Sequence, residues 1–518
     1  MSSTHPTWLV TAALAATLAL ASPAGAQAQL TRSGGVLGTS VTYDMQAGPF
    51  EIFALLPSLS AGPTPLAFVD PADPRILCVG LDLMAVWTIG FLDPTGQAGV
   101  TFPLPAAAGL QGLPLRAQFV TVPGVTTLVD EISNKTAFVL GFPDTTEFTL
   151  GDVPESLDSH GLAVLEDGTV LLSGGLGLDA LGNTLAQDGF ILFDPQTQEF
   201  SPTTGQMQHP RSTHNATRLL DGRVLLSGGA NENDAVVGTC DIWDPATGVS
   251  TPAASMNRAR ALHTATLMSD GRVFVAGGGG AFDPADPLSA LNNIEATTEV
   301  YDPNTNTWTL GPNLPMSRVA HRATRLNDGR ILITGGVEVA FVFGVPIPTI
   351  SNDCRLYDPV TGTIGNASNF AGGRGLHGQT LLDNGNVFVA GGATGDVLAL
   401  SATPLSSCRI YNPVNDTWTN VASLNVARGF GDLINLGSEV LYVGGLTSVD
   451  ITTLSGAGAQ DIESADPQGL SWSIVGSLIK DRPLAISAPI DGGDRILVTG
   501  SGDIGVVPAD QTSEIFIP

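Results

Sequence analysis

From about Ser159 onward the chain repeats one phrase roughly every fifty residues. The phrase runs Arg-x-x-His, an alternating stretch, Asp-Gly-Arg, an apolar run, Gly-Gly, a variable loop, and then x-Tyr-Asp-Pro-x-Thr-x-x-Trp. Clear copies begin at Arg211, Arg260, Arg318 and Arg374. The paired glycines fall at Gly174-Gly175, Gly228-Gly229, Gly277-Gly278, Gly335-Gly336, Gly391-Gly392 and Gly444-Gly445. One such unit cannot bury its own apolar faces, so units of this length stack against one another to make a continuous core.

Each part of the phrase has a physical reading. Asp221-Gly222, Asp270-Gly271 and Asp328-Gly329 predict tight hairpins of the primed type, which accept Asp-Gly at positive φ. The runs Val224-Leu225-Leu226 and Val273-Phe274-Val275 predict strands covered on both faces. The glycine pair allows a neighbouring strand or blade to approach closely. Asp302-Pro303-Asn304-Thr305 predicts a turn with Pro preset for its second position, and Trp308 and Trp418 open an outer strand with a large area to bury. Four antiparallel strands per repeat, stacked radially, predict an all-β propeller.

The double glycines and the Tyr-Asp-Pro-x-Thr-x-x-Trp spacing resemble the Kelch superfamily, and more closely the secreted bacterial Kelch type related to the galactose oxidase propeller. The resemblance spans residues 144–518 and implies a seven-bladed Kelch-type β-propeller. Six repeats are whole. The seventh is split: Glu514-Ile515-Phe516-Ile517 aligns with a third strand, and Thr145–Gly151 mimics the fourth strand at Asn306–Gly311. The strand near 145–151 is therefore expected to close the ring, leaving no open edge. Residues 30–142 lie outside the pattern; their alternation and Pro/Gly turns predict a small β-sandwich-like domain ahead of the propeller.

The N-terminus carries an apolar stretch, Leu9 to Ala21, too short to span a bilayer comfortably. Pro23 and the small-x-small patterns Ala24-Gly25-Ala26 and Ala26-Gln27-Ala28 follow it. Residues 1–28 read as a signal peptide, placing the mature protein outside the cytoplasm, secreted or periplasmic. Such a compartment permits disulfides. Yet Cys240, Cys354 and Cys408 occupy one slot of different repeats, and equivalent slots lie about 10 Å apart, beyond bridging range. They read as packing thiols. The net charge of −28 repels phosphate backbones and anionic head groups, which argues against nucleic acid and membrane partners.

Function is expected on the face carrying the loops after Gly-Gly, since those loops vary while the Asp-Gly and Asp-Pro hairpins on the other face are uniform. The Arg/His pairs Arg211/His214, Arg260/His263, Arg318/His321 and Arg374/His377 lead into the innermost strands, and His160 stands alone in the first repeat. They are expected at the channel mouth. One reading makes them a cationic collar for carboxylates or sugar hydroxyls. The other has them serve the blades by bonding loop carbonyls, as a feature shared by nearly every blade would.

The galactose oxidase resemblance implies a copper site with a Tyr cross-linked to Cys, a second Tyr directly before a His, and a further His from a later domain. Here Leu262 stands in place of the cross-linked Tyr. Thr213, Leu262, Ala320 and Leu376 precede the repeat histidines, so no Tyr-His pair exists, and the repeats run to the last residue. No metal or cofactor is expected. No nucleophile elbow, zinc helix or P-loop is present. Glu232, Asp234, Asp283 and Asp286 near the variable loops read as turn caps rather than Ca²⁺ ligands.

The loop Val339–Pro348 is strongly apolar for a surface position: it marks either a partner surface or a docking or blade-extending element. The reading that results is a secreted Kelch-repeat binding protein for an extracellular glycan or protein. The alternative is a carbohydrate-active enzyme (a hydrolase, lyase or metal-dependent variant) using the channel-mouth residues.

Overall fold

The computed structural model describes residues 27–518, apart from 69, 123–127, 155–157, 179–183, 234, 280–292, 344, 398–400, 449–455 and 501–510. The apolar N-terminal stretch therefore lies outside the described residues, as do Asp234, Asp283 and Asp286. The described residues form two compact units: 27–33 with Val41–Phe102 and Leu115–Thr136, and Gly34–Ser40 with Pro103–Pro114 and the described residues from Ala137 to Pro518.

In the first unit Gln29–Gly34, Ser40–Gln46 and Gln97–Pro103 make one sheet. A second sheet is centred on Ile52–Ser58, which pairs with Thr88–Phe91 on one side and Pro114–Val122 on the other. The period of two is visible in Ser40–Gln46, where Val41, Tyr43 and Met45 are buried and their neighbours are not. Leu56, Leu77, Val79 and Val120 are among the side chains that pack its core.

The second unit contains, among the described residues, seven four-stranded antiparallel sheets, here numbered as blades in chain order. Their first strands are Gly161–Val164, Asn215–Arg218, Thr264–Leu267, Arg322–Arg325, Gly378–Leu381, Asp432–Asn435 and Ile486–Ile490. Each of these touches the first strand of the next blade, and that of blade 7 touches that of blade 1, so the circuit closes. This is the arrangement of a β-propeller. In blade 7 the third strand, Glu514–Ile517, is flanked by Arg495–Thr499 and by Thr145–Phe148, with Thr145 opposite Ile517 and Phe148 opposite Glu514. The outermost strand of that blade thus comes from more than three hundred residues earlier in the chain.

The second strands are buried on every residue: Val170–Ser173, Val224–Ser227, Val273–Ala276, Ile331–Thr334, Val387–Ala390 and Val440–Val443. Successive side chains of a strand point to opposite faces. Leu225 therefore packs toward blade 3 with Val273, Val275 and Tyr301, while Val224 and Leu226 pack toward blade 1 with Leu171. Between blades 6 and 7, Leu441 and Val443 meet Ile496, Val498 and Phe516. Between blades 7 and 1, Leu497, Ile515 and Ile517 meet Val170, Leu172 and Phe193. The core is thus a ring of inter-blade clusters. The outer strands join it through Trp308 and Trp418, whose Nε1–H groups donate to Ala254 and Ser368 of the preceding blade at 2.8 and 2.6 Å.

The Asp-Gly turns differ from the primed hairpins expected. Gly222 has φ 87° while Asp221 is not left-handed. Gly222 N–H donates to Leu219 O, and Leu219 N–H donates to Arg223 O. This is the longer hairpin, a type I turn followed by a left-handed glycine. It wins because the Asp221 carboxylate then accepts Arg223 N–H and Nε–H at 3.1 and 2.8 Å.

The four cysteines are free thiols; Cys240, Cys354 and Cys408 are buried and Cys78 is exposed. Burial pushes the Cys240 and Cys354 thiols up to about 12 and Cys408 to about 11. Since the thiolate is the reactive form, a thiol-specific colorimetric reagent is expected to titrate Cys78 alone in the native protein and all four cysteines in denaturant. A second fast-reacting thiol before unfolding would contradict this packing.

Candidate functional site

The eight Arg and His side chains of the repeat do not form a collar open to solvent. Arg211, Arg260, Arg318 and Arg374 are at most 1 % exposed, and His214, His263, His321 and His377 at most 7 %. The reason lies in their bonds. Arg211 donates from Nη1 to Gly228 O and Thr239 O at 3.0 and 2.7 Å and from Nη2 to the Asp241 carboxylate. Arg260 repeats this with Gly277 O, Thr297 O and Glu299. Arg318 does so with Gly335, Asp353 and Glu338. Arg374 reaches Gly391 O, Ser407 O and Ser407 Oγ. Each guanidinium pins its own blade at the glycine pair and the root of the third strand. Arg428 and Arg482, which stand at the same place without a following His, bond in the same way to Glu463 and Glu514.

The histidines reach the other way, toward the preceding blade. His214 Nε2 meets Ser173 Oγ at 2.9 Å, His263 meets Ser227 at 3.1 Å, His377 meets Thr334 at 2.9 Å and His160 meets Thr499 at 3.0 Å. The hydroxyl partner closes the second strand of the blade before. Where that position is Ala276, His321 turns to Thr264 Oγ1 at 3.0 Å. Where it is Ala390, Gly431 takes the place of the His, and a Cβ there would lie 2.2 Å from the Tyr442 ring. Tyr442 itself is fully buried.

The glycine pair completes the fastening. Gly229 N–H donates to Arg260 O of the next blade at 2.9 Å, and Gly175, Gly278, Gly336 and Gly392 do the same toward Arg211, Arg318, Arg374 and Arg428. At Gly228, φ is 63° and a Cβ would sit 2.3 Å from Arg260 O, so no side chain fits. The Arg-x-x-His phrase is thus a joint between blades.

The side chains left at this end of the propeller are those just before the histidines. Ser159, Thr213, Leu262, Ala320, Leu376 and Phe430 all have φ between 51° and 65°. Their backbones run from blade to blade, with Thr213 N–H on Ser159 O, Leu262 on Thr213, Leu376 on Ala320 and Phe430 on Leu376. Leu262 is 49 % exposed. Left-handed non-glycine residues are uncommon, and their recurrence here follows from tertiary bonds that over-determine the turn. Nothing in the residue types signals that conformation, so pattern reading fixes on the conspicuous Arg and His instead. The first strands contribute further half-buried polar groups, among them Asn215, Arg322, Gln379 and Asp432. Asp432 accepts Ser487 N–H and Oγ–H, and burial raises its pKa. Among the described residues no three His, Cys, Asp or Glu side chains are gathered as a metal group.

The loops after the glycine pairs carry their own structure. In blades 1 and 5 they form short hairpins, Leu176–Leu178 with Thr184–Ala186 and Ala393–Asp396 with Ser401–Pro404. In blade 4 the hairpin is longer: Val337–Val342 pairs with Val345–Ile350, and Ser317–Val319 adds a third strand at its base. Val339 is buried at that base. At the tip Phe341, Val342 and Val345 are half exposed, and Phe343 is fully exposed.

This fold defines a β-propeller, and the comparisons with known proteins refine it. The Kelch motif matches residues 260–315 and 380–425, so the chain carries Kelch repeats. Human Kelch-like protein 15 is 27 % identical over 184 residues, covering 34 % of this chain and 29 % of that protein. Kelch-like protein terF of Aspergillus terreus is 24 % identical over 142 residues, covering 27 % of this chain and 29 % of its own length. The chain thus spans under a third of the curated relatives it matches. Among solved structures, a fungal alcohol oxidase of the AA5 family in complex with copper superposes with a TM-score of 0.53 at 19 % identity. It covers 71 % of this chain and 75 % of that one, a likeness of fold.

Proposed function

We propose that this protein is a secreted or periplasmic binding module that holds an extracellular protein through the face bearing the loops after Gly-Gly. The observation that carries this reading is the blade 4 hairpin. Val339 and Pro348 are buried near its root, its strands are fully paired, and its tip presents Phe341, Val342, Phe343 and Val345 to solvent. Apolar groups held out on a paired ribbon gain little in the free chain and gain burial on contact with a partner. Kelch repeats in the matched relatives agree with an interaction role. Among the described residues no helix is long and apolar enough to cross a membrane. The carbohydrate-active alternative relied on the repeat Arg and His side chains, and these are buried, the arginines bonded within their own blades and the histidines to neighbouring ones.

Arrays of secreted proteins and of glycans, probed with the mature protein and with the Phe341→Asp/Phe343→Asp variant, test the assignment. Buried aromatic anchors commonly contribute about 2 kcal/mol or more to binding, so the variant is expected to lose at least about tenfold in affinity at an unchanged melting temperature. Ligands retained equally by both proteins, or glycans alone bound through another surface, would overturn it.

A further inference from the structure

One ion pair recurs in the blades, and in one blade its arginine is kept while the acid is lost without a substitute. The third-strand residue two before the Tyr, Trp, Ala or Phe of the turn is Asp241 in blade 2, Glu299 in blade 3, Glu463 in blade 6 and Glu514 in blade 7. Each is fully buried and pairs with the arginine of its own blade. In blades 3, 6 and 7 the carboxylate also accepts the backbone N–H groups of the two residues lying three and two before that arginine. These are Asn257 and Arg258, Asn425 and Val426, and Ile479 and Lys480. In blade 1 both members are missing from the sequence: Leu157 stands at the arginine position and Ile191 at the carboxylate position. Blade 4 puts Arg355 at the carboxylate position and compensates, since Asp353 pairs with both Arg318 and Arg355 and Glu338 adds a second acid.

Blade 5 has the change without the compensation. Arg409 occupies the carboxylate position, Ser407 stands where blade 4 has Asp353, and Thr394 stands where it has Glu338. Arg374 and Arg409 are 1 % and 8 % exposed, and their guanidinium carbons lie 5.3 and 5.6 Å from the Phe370 ring centroid. Arg374 bonds to carbonyl and hydroxyl oxygens only, and Arg409 to Asn420 Oδ1 and Ala371 O. Neither forms a salt bridge among the described residues, and Arg409 Nη1 is buried with no hydrogen-bond partner. Burial and the neighbouring Arg409 lower the Arg374 pKa to about 10, which marks the same deficit of negative charge. Two buried guanidinium groups without an acid are costly, and a planar bidentate donor fits a carboxylate best.

We infer that blade 5 binds a small carboxylate anion from solution at Arg374 and Arg409, in the place that an internal Asp or Glu fills in blades 2, 3, 6 and 7. The backbone positions equivalent to the amide pair of the other blades are Ala371 and Gly372, both exposed, as Asn257 and Arg258 are in blade 3. The anion completes the blade as a ligand, and it is bound independently of the apolar hairpin.

Thermal unfolding in acetate against chloride at matched, low ionic strength tests this. Acetate is expected to raise the melting temperature of the wild-type protein by about 2 °C or more, saturating in the millimolar range. Arg409→Glu builds the acid in, as in blades 3 and 6. It is expected to melt no lower than wild type in chloride and to lose the acetate response. Arg409→Gln, which removes the second cation without adding an acid, is expected to lose the response as well. Equal melting of the wild type in the two salts would overturn the inference whatever the variants do. So would an acetate response that persists undiminished in either variant, the mark of a general salt effect.

Discussion

Acidification from pH 7 toward pH 4.5 is expected to unfold this protein steeply, driven by the five buried histidines. Burial lowers the His160 pKa to about 4 and those of His263 and His321 to about 3, and it holds His214 and His377 well below the ordinary value of 6.5. The arginines of the same joints push His214, His263, His321 and His377 further in that direction. A histidine depressed in the folded state stays neutral there while the unfolded chain takes up a proton. Its stabilisation is complete above pH 6.5 and is lost as pH falls toward the folded value. The slope is about 1.4 kcal/mol per pH unit for each such group.

Carboxyls raised by burial oppose this. Burial raises the Asp158 carboxyl to about 7, so its contribution is full below the ordinary carboxylate range and is lost as pH rises through neutrality. Burial shifts Asp241, Asp432, Glu338, Glu131 and Glu147 in the same direction. These six carboxyls offset part of the share of the five histidines, while aspartates held below their ordinary value, Asp221, Asp270 and Asp328 among them, act on the same side as the histidines, so the net slope favours neutral pH. Denaturant midpoints between pH 4.5 and 7.5 measure it. His263→Gln keeps a polar group toward Ser227 and should remove about one histidine's share of the slope. A flat profile, or a slope unchanged in that variant, would show that these side chains are not buried neutral.

The second large effect is expected from Arg260→Ala. The side chain is fully buried, and removing it leaves Glu299 as a buried charge and strips the donors from Gly277 O and Thr297 O. Breaking one partner of a buried pair costs about 3–5 kcal/mol, a large share of the total stability of a domain. Glu299→Gln in the Arg260→Ala background removes the orphaned charge and should recover part of the loss. That recovery separates the ion-pair role from general disruption. Guanidinium unfolding of the two single variants and the double variant gives the coupling directly. Additive losses would mean that the two side chains do not act as a pair. The channel-mouth ligand reading, by contrast, requires Arg260→Ala to fold normally and lose only binding.

Much of the architecture was legible in the chain because the repeat carries it in residue types. Apolar runs after Asp-Gly, paired glycines and the Tyr-Asp-Pro turn each impose a local geometry, and their period leaves stacking of sheets as the way to bury Val224–Leu226 or Val273–Val275. The joint itself was half legible. Arg-x-x-His was conspicuous, and its recurrence suggested service to the blades, but the direction of each side chain was not visible. The covariation of His with the hydroxyl closing the preceding second strand, as in Ser173 with His214 or Ala390 with Gly431, becomes readable only once blade neighbours are known.

By itself the sequence determined an all-β chain of stacked four-stranded units, because strand period, turn chemistry and repeat length are local properties. The tertiary structure decided what the repeated side chains do. Burial turned the repeat Arg and His from a supposed collar into internal fastenings of and between the blades, since a guanidinium or imidazole enclosed by sheets must find its partners inside the protein. It also exposed the Phe343 hairpin and left Arg374 and Arg409 together without an acid. Both depend on which blades and loops become neighbours, and residue order alone does not state that.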